Sequence, residues 1–334
     1  MKIGKNTVLF DNPVSIFATS SIVGPLESNT KYRNYFDEKV DDDMFNEKSY
    51  EKAECKFQIR AIQQLINNAG ICINDLDMSI SGDLINQIAV SSFATRKLNL
   101  PFIGVYNACA SFGEAIYLGA SLIDSGNYKN ISCTTSSHFA SAERQYRFPL
   151  ELGNQKTPTS QWTVTGAGSL LLSTMENITK VKGATLGTIT DYGVIDVNNM
   201  GAAMAPAVYT TLLKHFEETN REPDYYDCII TGDLGKFGSN LLKQLLAKEN
   251  IQLNNHYDCG ALIYGDNKKA IQGGSGAGCC SVMFNGYFYK LLQKKQINKV
   301  LFMPTGALLS KDTSLQGETI PSISHAIIIE NDEV

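Results

Sequence analysis

Short runs of apolar residues alternate with longer stretches of mixed polarity along most of the chain. The apolar runs predict strands at 78–84, 102–105, 130–135, 169–173, 228–234, 299–304 and 326–330. Between them, apolar residues at helical spacing predict helices at 47–68, 84–98, 111–125, 203–218, 239–249 and 281–294. Strands that alternate with helices through short glycine-bearing turns indicate an α/β fold with parallel or mixed sheets.

The strand at 78–84, MSISGDL, has a counterpart at 228–234, CIITGDL, and the two glycines lie 150 residues apart. Each copy follows an acidic turn and precedes a small-residue turn, a helix and another buried strand. This repeat predicts two similar α/β halves packed face to face, residues 1–178 and 179–334. The second copy carries about 19 additional residues around 256–274, which we interpret as an inserted hairpin.

The amino-acid composition favours a globular protein with a large core and disfavours a nucleic-acid-binding or disulfide-rich protein. Hydrophobic residues make up 43% of the 334 residues and charged residues 19%, so a large core is expected. The net charge of −5 argues against nucleic acid as a partner. The eight cysteines form no CxxC pair, which favours reduced thiols in a cytosolic protein. We expect neither a signal peptide nor a membrane span, so that any membrane contact is peripheral.

The stretch VYNACASFGEAI (105–116) places Cys109 on the predicted first turn of the helix at 111–125. A thiol in this position is either a small buried hydrophobe or a nucleophile whose thiolate is stabilised by the helix N-terminus. The local sequence leaves both interpretations open.

Several long strings carry a resemblance to a known family. They are GDLINQ (82–87), SSHFASAERQYRFP (136–149), GAAMAP (201–206), GGSG (273–276), TGALLS (305–310) and IP (320–321). Over essentially its full length the chain resembles the stage V sporulation protein AD family of endospore-forming bacteria. The resemblance implies a thiolase-like fold, with two duplicated α/β halves, mixed sheets and central helices. It also implies a role in loading dipicolinic acid (pyridine-2,6-dicarboxylate, or its calcium chelate) into the developing spore.

The sequence departs from the acyl-transferring members of this fold, which use a cysteine at the position of Cys109. Those enzymes need histidines, or a second thiol, from the C-terminal half. The glycine-rich turn at 273–280 contains no histidine, nor does the loop at 235–239, and Ser322 falls near the position of the second cysteine. A nucleophile without a positioned base loses most of its catalytic advantage. We therefore expect Cys109 to mark the pocket without acting as a nucleophile.

The resemblance and the residue types together suggest a set of ligand-binding residues. We expect Cys109, His138, His325 and the turn Gly274, Ser275 and Gly276 to line a pocket between the halves, with Asp83 at the end of the first GD strand. Arg144 and Arg147 are candidates for neutralising a carboxylate, because an arginine can donate two hydrogen bonds to one. Each has a structural alternative: a buried hydrogen bond for His138 and His325, and a salt-bridge network for the arginines. His215 is predicted to lie on an exposed helical face.

Three functions remain open at this point. The leading hypothesis is a non-catalytic protein that binds dipicolinic acid for uptake into the spore, without cofactor or metal. The second is a Cys109-dependent acyltransferase acting on a thioester of the acyl-CoA type. The third is a structural subunit of a spore membrane transport complex. The resemblance further implies a homodimer, other stage V sporulation A proteins as partners, and a peripheral location at the forespore or spore inner membrane.

Overall fold

The computed structural model describes residues 1–146 and 157–332. Its strands are β1 (Thr7–Val23), β2 (Glu38–Lys39), β3 (Met78–Gly82), β4 (Phe102–Gly104), β5 (Asn130–Ser137), β6 (Trp162–Thr163), β7 (Gly166–Ser173), β8 (Thr179–Thr185), β9 (Cys228–Thr231), β10 (His256–Asp258), β11 (Gly274–Ser275), β12 (Lys299–Met303), β13 (Thr305–Ala307), β14 (Ser322–Ser324) and β15 (Ala326–Asn331). Its α-helices are α1 (Pro25–Ser28), α2 (Tyr50–Ala69), α3 (Ala89–Leu98), α4 (Ser111–Asp124), α5 (Phe139–Tyr146), α6 (Met200–Thr219), α7 (Gly235–Ala247), α8 (Cys259–Tyr264), α9 (Ala277–Met283), α10 (Tyr289–Gln293) and α11 (Lys311–Leu315). A π-helical turn, Phe284–Phe288, joins α9 to α10.

The large sheet has the strand order β10-β9-β12-β15-β8-β1-β7-β5-β3-β4, and β2 pairs with β1. On one side β3, β4 and β5 are parallel and β7 is antiparallel to β5. On the other side β9, β10 and β12 are parallel and β15 is antiparallel to β12. The order of the first copy is thus mirrored in the second, which confirms the duplicated α/β fold. The predicted boundary after residue 178 lies directly before β8.

Helix α4 packs against strands of both copies, including β1, β3 and β5 of the first and β15 of the second. Its residue Phe112 is fully buried and meets Phe302 of β12 edge-on, with ring centroids 6.1 Å apart. Phe284 stacks on the same Phe302 at 4.5 Å. Burying a phenylalanine contributes about 2–3 kcal/mol, so this aromatic cluster stabilises the packing of the central helices between the copies.

One sequence-based prediction about local structure was wrong, and one long strand was missed. The segment 256–274 is not a hairpin: β10 pairs in parallel with β9, and α8 follows it directly. The Asp258 side chain accepts a hydrogen bond from the Ala261 backbone at 2.8 Å and so caps the N-terminus of α8, where the predicted hairpin would have a turn. In addition, the 17-residue β1 was not predicted, because its buried residues do not alternate simply with exposed ones.

His215 on α6 is fully buried, which contradicts the predicted exposed position. Its Nδ1 is 2.7 Å from Thr185 Oγ1, and its Nε2 is 2.7 Å from the Tyr226 hydroxyl. Burial lowers the pKa of His215 to about 3, so the imidazole is neutral. The ring therefore joins α6 to β8 as a structural residue.

No helix in the parts of the chain that the structure describes combines the length and the apolar character needed to cross a bilayer.

Candidate ligand-binding site

Cys109 lies in a tight turn between β4 and α4. The helix begins at Ser111, so Cys109 precedes its first turn and does not lie on it as predicted. Ser111 Oγ accepts a hydrogen bond from the Asn107 backbone at 2.9 Å and donates one to the Ala108 carbonyl at 2.8 Å. Ala108 has a φ of 50°, a left-handed conformation that costs a non-glycine residue roughly 1–2 kcal/mol. The two hydrogen bonds of Ser111 therefore stabilise the turn that carries Cys109, although the backbone at Ala108 is strained.

The thiol of Cys109 lies beside the carboxyl group of Asp233, which follows β9 in the second GD string, and the two groups interact electrostatically. Thr305 Oγ1 donates to Asp233 Oδ1 at 2.5 Å, and the Gly276 backbone donates to Oδ2 at 3.2 Å. Burial raises the pKa of Asp233 to about 7 against the lowering effect of these hydrogen bonds. Asp233 is one of the groups from the C-terminal half that reach Cys109; another is Cys280, whose Sγ lies 3.7 Å from the Cys109 carbonyl oxygen.

Burial, and next the charge of Asp233, hold the pKa of Cys109 well above its ordinary value. The backbone N–H of Gly276 acts in the opposite direction but more weakly. Cys109 is consequently a thiol at neutral pH, although the helix N-terminus alone would favour the thiolate. A thiol is a poor nucleophile unless a base removes its proton during attack.

A narrow cavity of about 40 Å³ opens beside Cys109. It is lined by Leu84, Ala108, Cys109, Ala142, Glu143, Tyr146, Thr163, Met200, Ser275, Gly276, Ala307 and Leu309. Both copies contribute residues, and Cys109, Ser275 and Gly276 lie together as predicted. Gly274 is in the same strand, β11, next to Ser275, but does not line the cavity. Since one water needs about 10–15 Å³ of such volume, the cavity holds only a few waters.

A wider groove of about 340 Å³ adjoins the cavity, and Tyr146 lines both spaces. We call it the outer groove; its lining residues are Glu51, Ile85, Asn86, Tyr106, Ser141, Arg144, Gln145, Tyr146, Ser310, Lys311 and Asp312. The hydroxyl groups of Tyr106 and Tyr146 are 3.1 Å apart. Arg144 Nη1 donates to Glu51 Oε1 at 3.2 Å, and its guanidinium lies over Tyr50 at 5.7 Å. The outer groove thus combines aromatic rings with charges of both signs.

His325 lies near the turn that carries Cys109 but does not line the cavity. Its Nε2 is 3.4 Å from Asn107 Nδ2, and its Nδ1 accepts a hydrogen bond from the Gly187 backbone at 3.1 Å. Burial lowers the pKa of His325 to about 4, which leaves the ring neutral. His325 therefore supports Asn107, two residues before Cys109, and makes no hydrogen bond to the thiol.

His138 and Asp83 are engaged in structural contacts away from the cavity lining. His138 Nε2 is 2.9 Å from the Asp43 carbonyl, and its Nδ1 accepts a hydrogen bond from the Ala140 backbone at 3.1 Å. Asp83 accepts hydrogen bonds from the backbone and hydroxyl of Ser91, both at 2.7 Å. Both residues are buried and their polar atoms already have protein partners. Arg147 lies outside the described residues.

The internal repeat is the sequence signal that could have identified Asp233 as a site residue, because Asp233 occupies the same position in the second copy as Asp83 in the first. The two GD strings are equivalent in the repeat, yet only the first aspartate was predicted to belong to the site. The structure gives the copies different roles, because Asp83 accepts hydrogen bonds at the start of α3 whereas Asp233 meets the thiol of Cys109. Within the described ranges, no group of three or more His, Cys, Asp or Glu side chains could hold a metal ion.

The overall arrangement is that of the thiolase-like proteins. The chain is similar to 3-oxoacyl-(acyl-carrier-protein) synthase III from Aquifex aeolicus, with a TM-score of 0.56 and 12% identity over 95% of this chain and 99% of that one. It is also similar to a variant of OleA from Xanthomonas campestris, with a TM-score of 0.62 and 11% identity over 97% and 99% of the two chains. Another OleA variant, solved with bound lauric acid and lauroyl-CoA, matches with a TM-score of 0.62 and 11% identity over 96% of this chain and all of that one. At this identity the likeness establishes the fold alone.

Sequence similarity gives the family. The family model of Stage V sporulation protein AD matches residues 4–330. Stage V sporulation protein AD of Bacillus subtilis (strain 168) is 36% identical over 328 residues, which is 98% of this chain and 97% of that protein. The chain belongs to the Stage V sporulation protein AD family, and the resemblance deduced from its motifs is confirmed.

Proposed function

We propose that this sporulation protein binds dipicolinic acid, or its calcium chelate, in the outer groove without transforming it. The observation that carries the proposal is the pairing of Arg144 and Lys311 with Tyr106 and Tyr146 in one groove. Guanidinium and ammonium groups suit the two carboxylates of the ligand, and tyrosine rings suit the planar pyridine. A single groove thus offers both kinds of contact that an aromatic dicarboxylate requires.

The relative size of the two spaces favours the outer groove over the cavity at Cys109. Dipicolinate has about 12 non-hydrogen atoms, and a cavity of about 40 Å³ has room for only a few waters. The outer groove is about 340 Å³. We therefore move the proposed site outward from the pocket predicted around Cys109, and keep Arg144 as its carboxylate-binding residue.

The charges of the outer groove also suit the calcium chelate. Glu51 and Asp312 line the groove beside Arg144 and Lys311. Calcium held by dipicolinate keeps free coordination positions, which carboxylate oxygens fill readily. Glu51 and Asp312 could thus coordinate the calcium ion, while Arg144 and Lys311 pair with the carboxylates of dipicolinate.

Replacing Arg144 by alanine should weaken dipicolinate binding about tenfold, because a charge-assisted hydrogen bond to a carboxylate is lost. Isothermal titration calorimetry with dipicolinate, with and without calcium, measures the change. The exposed Arg33→Ala, which has the same change in charge outside the groove, serves as the control and should bind like the parent protein. Absence of heat at millimolar ligand with folded protein would overturn the proposal, as would equal binding by R144A.

A second candidate function is acyl transfer from a thioester to Cys109, favoured by the position of Asp233 beside the thiol and by the hydrogen bond that Asp233 accepts from Thr305. In such a step Asp233, as carboxylate, accepts the thiol proton while sulfur attacks the acyl carbon; the C–S bond of the thioester then breaks, and the leaving thiolate takes the proton from Asp233. Mass spectrometry after incubation with acyl-CoA should then find an acyl group on Cys109 in the parent protein and little in D233N. No adduct in either protein excludes this function.

We further propose that the protein acts in uptake of the ligand into the spore, together with other stage V sporulation A proteins at a membrane. We propose that a homodimer forms through β4. This strand is one edge of the described sheet, and its residue Ile103 is 39% exposed. An unpaired strand edge of this kind can extend the sheet into a second copy. Light scattering that gives the mass of a single chain would contradict the dimer.

A further inference from the structure

A second groove lies between α2 and α3 and borders the outer groove at Glu51, which lines both. It consists of two adjoining spaces of about 400 and 270 Å³ that share Lys52, Cys55 and Phe93. We call it the basic groove and define it by Lys52, Cys55, Lys56, Phe93, Arg96 and Lys97; two acidic residues, Glu47 and Glu51, also line it. None of these six residues lines the cavity at Cys109 or the outer groove.

The basic groove concentrates positive charge on a protein whose net charge is −5. Lys56 donates to the Phe45 carbonyl at 2.8 Å and lies 3.8 Å from Glu47. Within residues 1–146 and 157–332, Lys52, Arg96 and Lys97 form no ion pair. Neighbouring cations repel one another, so this cluster is not explained by the stability of the folded chain. Its four cations outnumber the two carboxylates that line it, Glu47 and Glu51, so the electrostatic potential of the groove favours an anionic ligand.

An exposed aromatic ring stands among these cations. Phe93 is 54% exposed, and the guanidinium of Arg96 lies over its ring at 4.4 Å. Beneath it the floor is apolar, since Ile59 and Val90 line the two spaces. The groove thus presents an apolar floor and ring with cations around them. This pattern matches a ligand with one apolar face and acidic side chains beside it.

We propose that the basic groove is a docking site for an acidic amphipathic helix of a partner protein. The space is concave and bounded by two helices, a shape that accepts a third helix. A recess that exposes one aromatic ring, Phe93, fits the apolar face of a helix better than it fits a flat membrane surface. Helix α3 has 10 residues and is therefore about 15 Å long, which corresponds to about three turns of a bound helix. This proposal does not depend on the function proposed for the outer groove.

The test uses the full chain with Cys72→Ser, which removes the exposed thiol. The probe is a synthetic helix of about 14 residues, with leucines on one face and glutamates beside them. A second peptide has glutamine at every glutamate. We expect the acidic peptide to bind and to slow maleimide labelling of Cys55, whereas the glutamine peptide binds at least about tenfold more weakly.

Charge-reversal variants locate the contact. K52E/K97E should weaken binding of the acidic peptide about tenfold or more, because two rim cations become repulsive. F93A should weaken it without changing charge. The control K248E/K294E makes the same change at exposed positions near the ends of α7 and α10, and should bind the peptide within about twofold of the parent.

Three results would overturn the proposal. They are no binding of the acidic peptide at millimolar concentration, equal binding of the glutamine peptide, and equal effects of the two charge-reversal pairs. Sedimentation with vesicles of phosphatidylglycerol provides a fourth result that could overturn the proposal. Vesicle binding that K52E/K97E abolishes, without peptide binding, would assign the groove to a lipid surface instead of a helix.

Discussion

Replacement of Gly276 by alanine is expected to destabilise the protein by about 3 kcal/mol and to deform the cavity at Cys109. Gly276 has φ 107° and ψ 158°, a conformation that is essentially restricted to glycine. A Cβ atom there would lie 2.5 Å from Ser137 Oγ and 3.0 Å from Ser137 Cβ. The backbone must shift, and its hydrogen bond to Asp233 then weakens.

Urea unfolding measures this loss, and Gly126→Ala is the matched control. Gly126 has φ 81°, but a Cβ atom added there would meet no other atom within 4 Å. Only the left-handed backbone is therefore penalised in G126A, by about 1–2 kcal/mol. The difference between the two losses reports the steric contact with Ser137 together with the higher cost of the Gly276 backbone conformation for a residue that has a Cβ atom. Equal losses in G126A and G276A would show that the contact with Ser137 does not restrict the site.

The second large effect concerns Glu54, a fully buried carboxyl group on α2. Ser136 Oγ and Ser141 Oγ donate to it at 2.9 and 2.8 Å. Burial, and next the charge of Asp83, raise its pKa to about 8. Since the folded protein holds this proton more tightly than the unfolded chain, the stabilisation is complete below pH ~4.5 and is lost as the pH rises through about 8.

Between pH 6.5 and 8, Glu54 should therefore lower the free energy of unfolding by about 2 kcal/mol, from about 1.4 kcal/mol for each pH unit. Glu27 and Asp233, whose pKa values are both about 7, add to the fall in this window. The buried histidines act in the other direction, because His215 and His325 have lowered pKa values. Their stabilisation is complete above pH ~6.5 and is lost on acidification.

In Glu54→Gln the contribution of this carboxyl group disappears, and the dependence of stability on pH between 6.5 and 8 should become shallower. Denaturant unfolding at several pH values measures the slope. The exposed Glu222→Gln should retain the slope of the parent protein. An unchanged slope in E54Q would contradict the assignment. Since Ser141 also lines the outer groove, ionisation of Glu54 acts directly beneath the proposed ligand site.

Helices and strands with clear apolar periodicity were predicted closely. The predicted helix at 111–125 is α4 (Ser111–Asp124), and the predicted strand at 326–330 is β15 (Ala326–Asn331). The repeat also predicted the two similar halves, whose strand orders mirror each other. These features depend on patterns within about 10–20 residues, or on the equivalence of two such patterns, and both are visible in one sequence.

The candidate site was predicted only in part. Cys109, Ser275 and Gly276 meet in one cavity, because the motifs that contain them follow strands of the two copies. Arg144 lies in the adjoining groove, whereas His138 and Asp83 make buried hydrogen bonds to the protein itself. The type of a polar residue indicates what it can bind, but its actual partner depends on packing.

Local sequence is sufficient for the strand and helix alternation, the duplication and the family. Contacts between segments that are distant in sequence determine the protonation states of the residues at the site and in the core. Burial, and next the charge of Asp233 from the other copy, keep Cys109 a thiol against the effect of the nearby helix N-terminus. His215 is buried because α6 turns that face toward β8 and Tyr226. Burial and hydrogen bonding, which decide protonation, depend on surroundings that no local pattern contains.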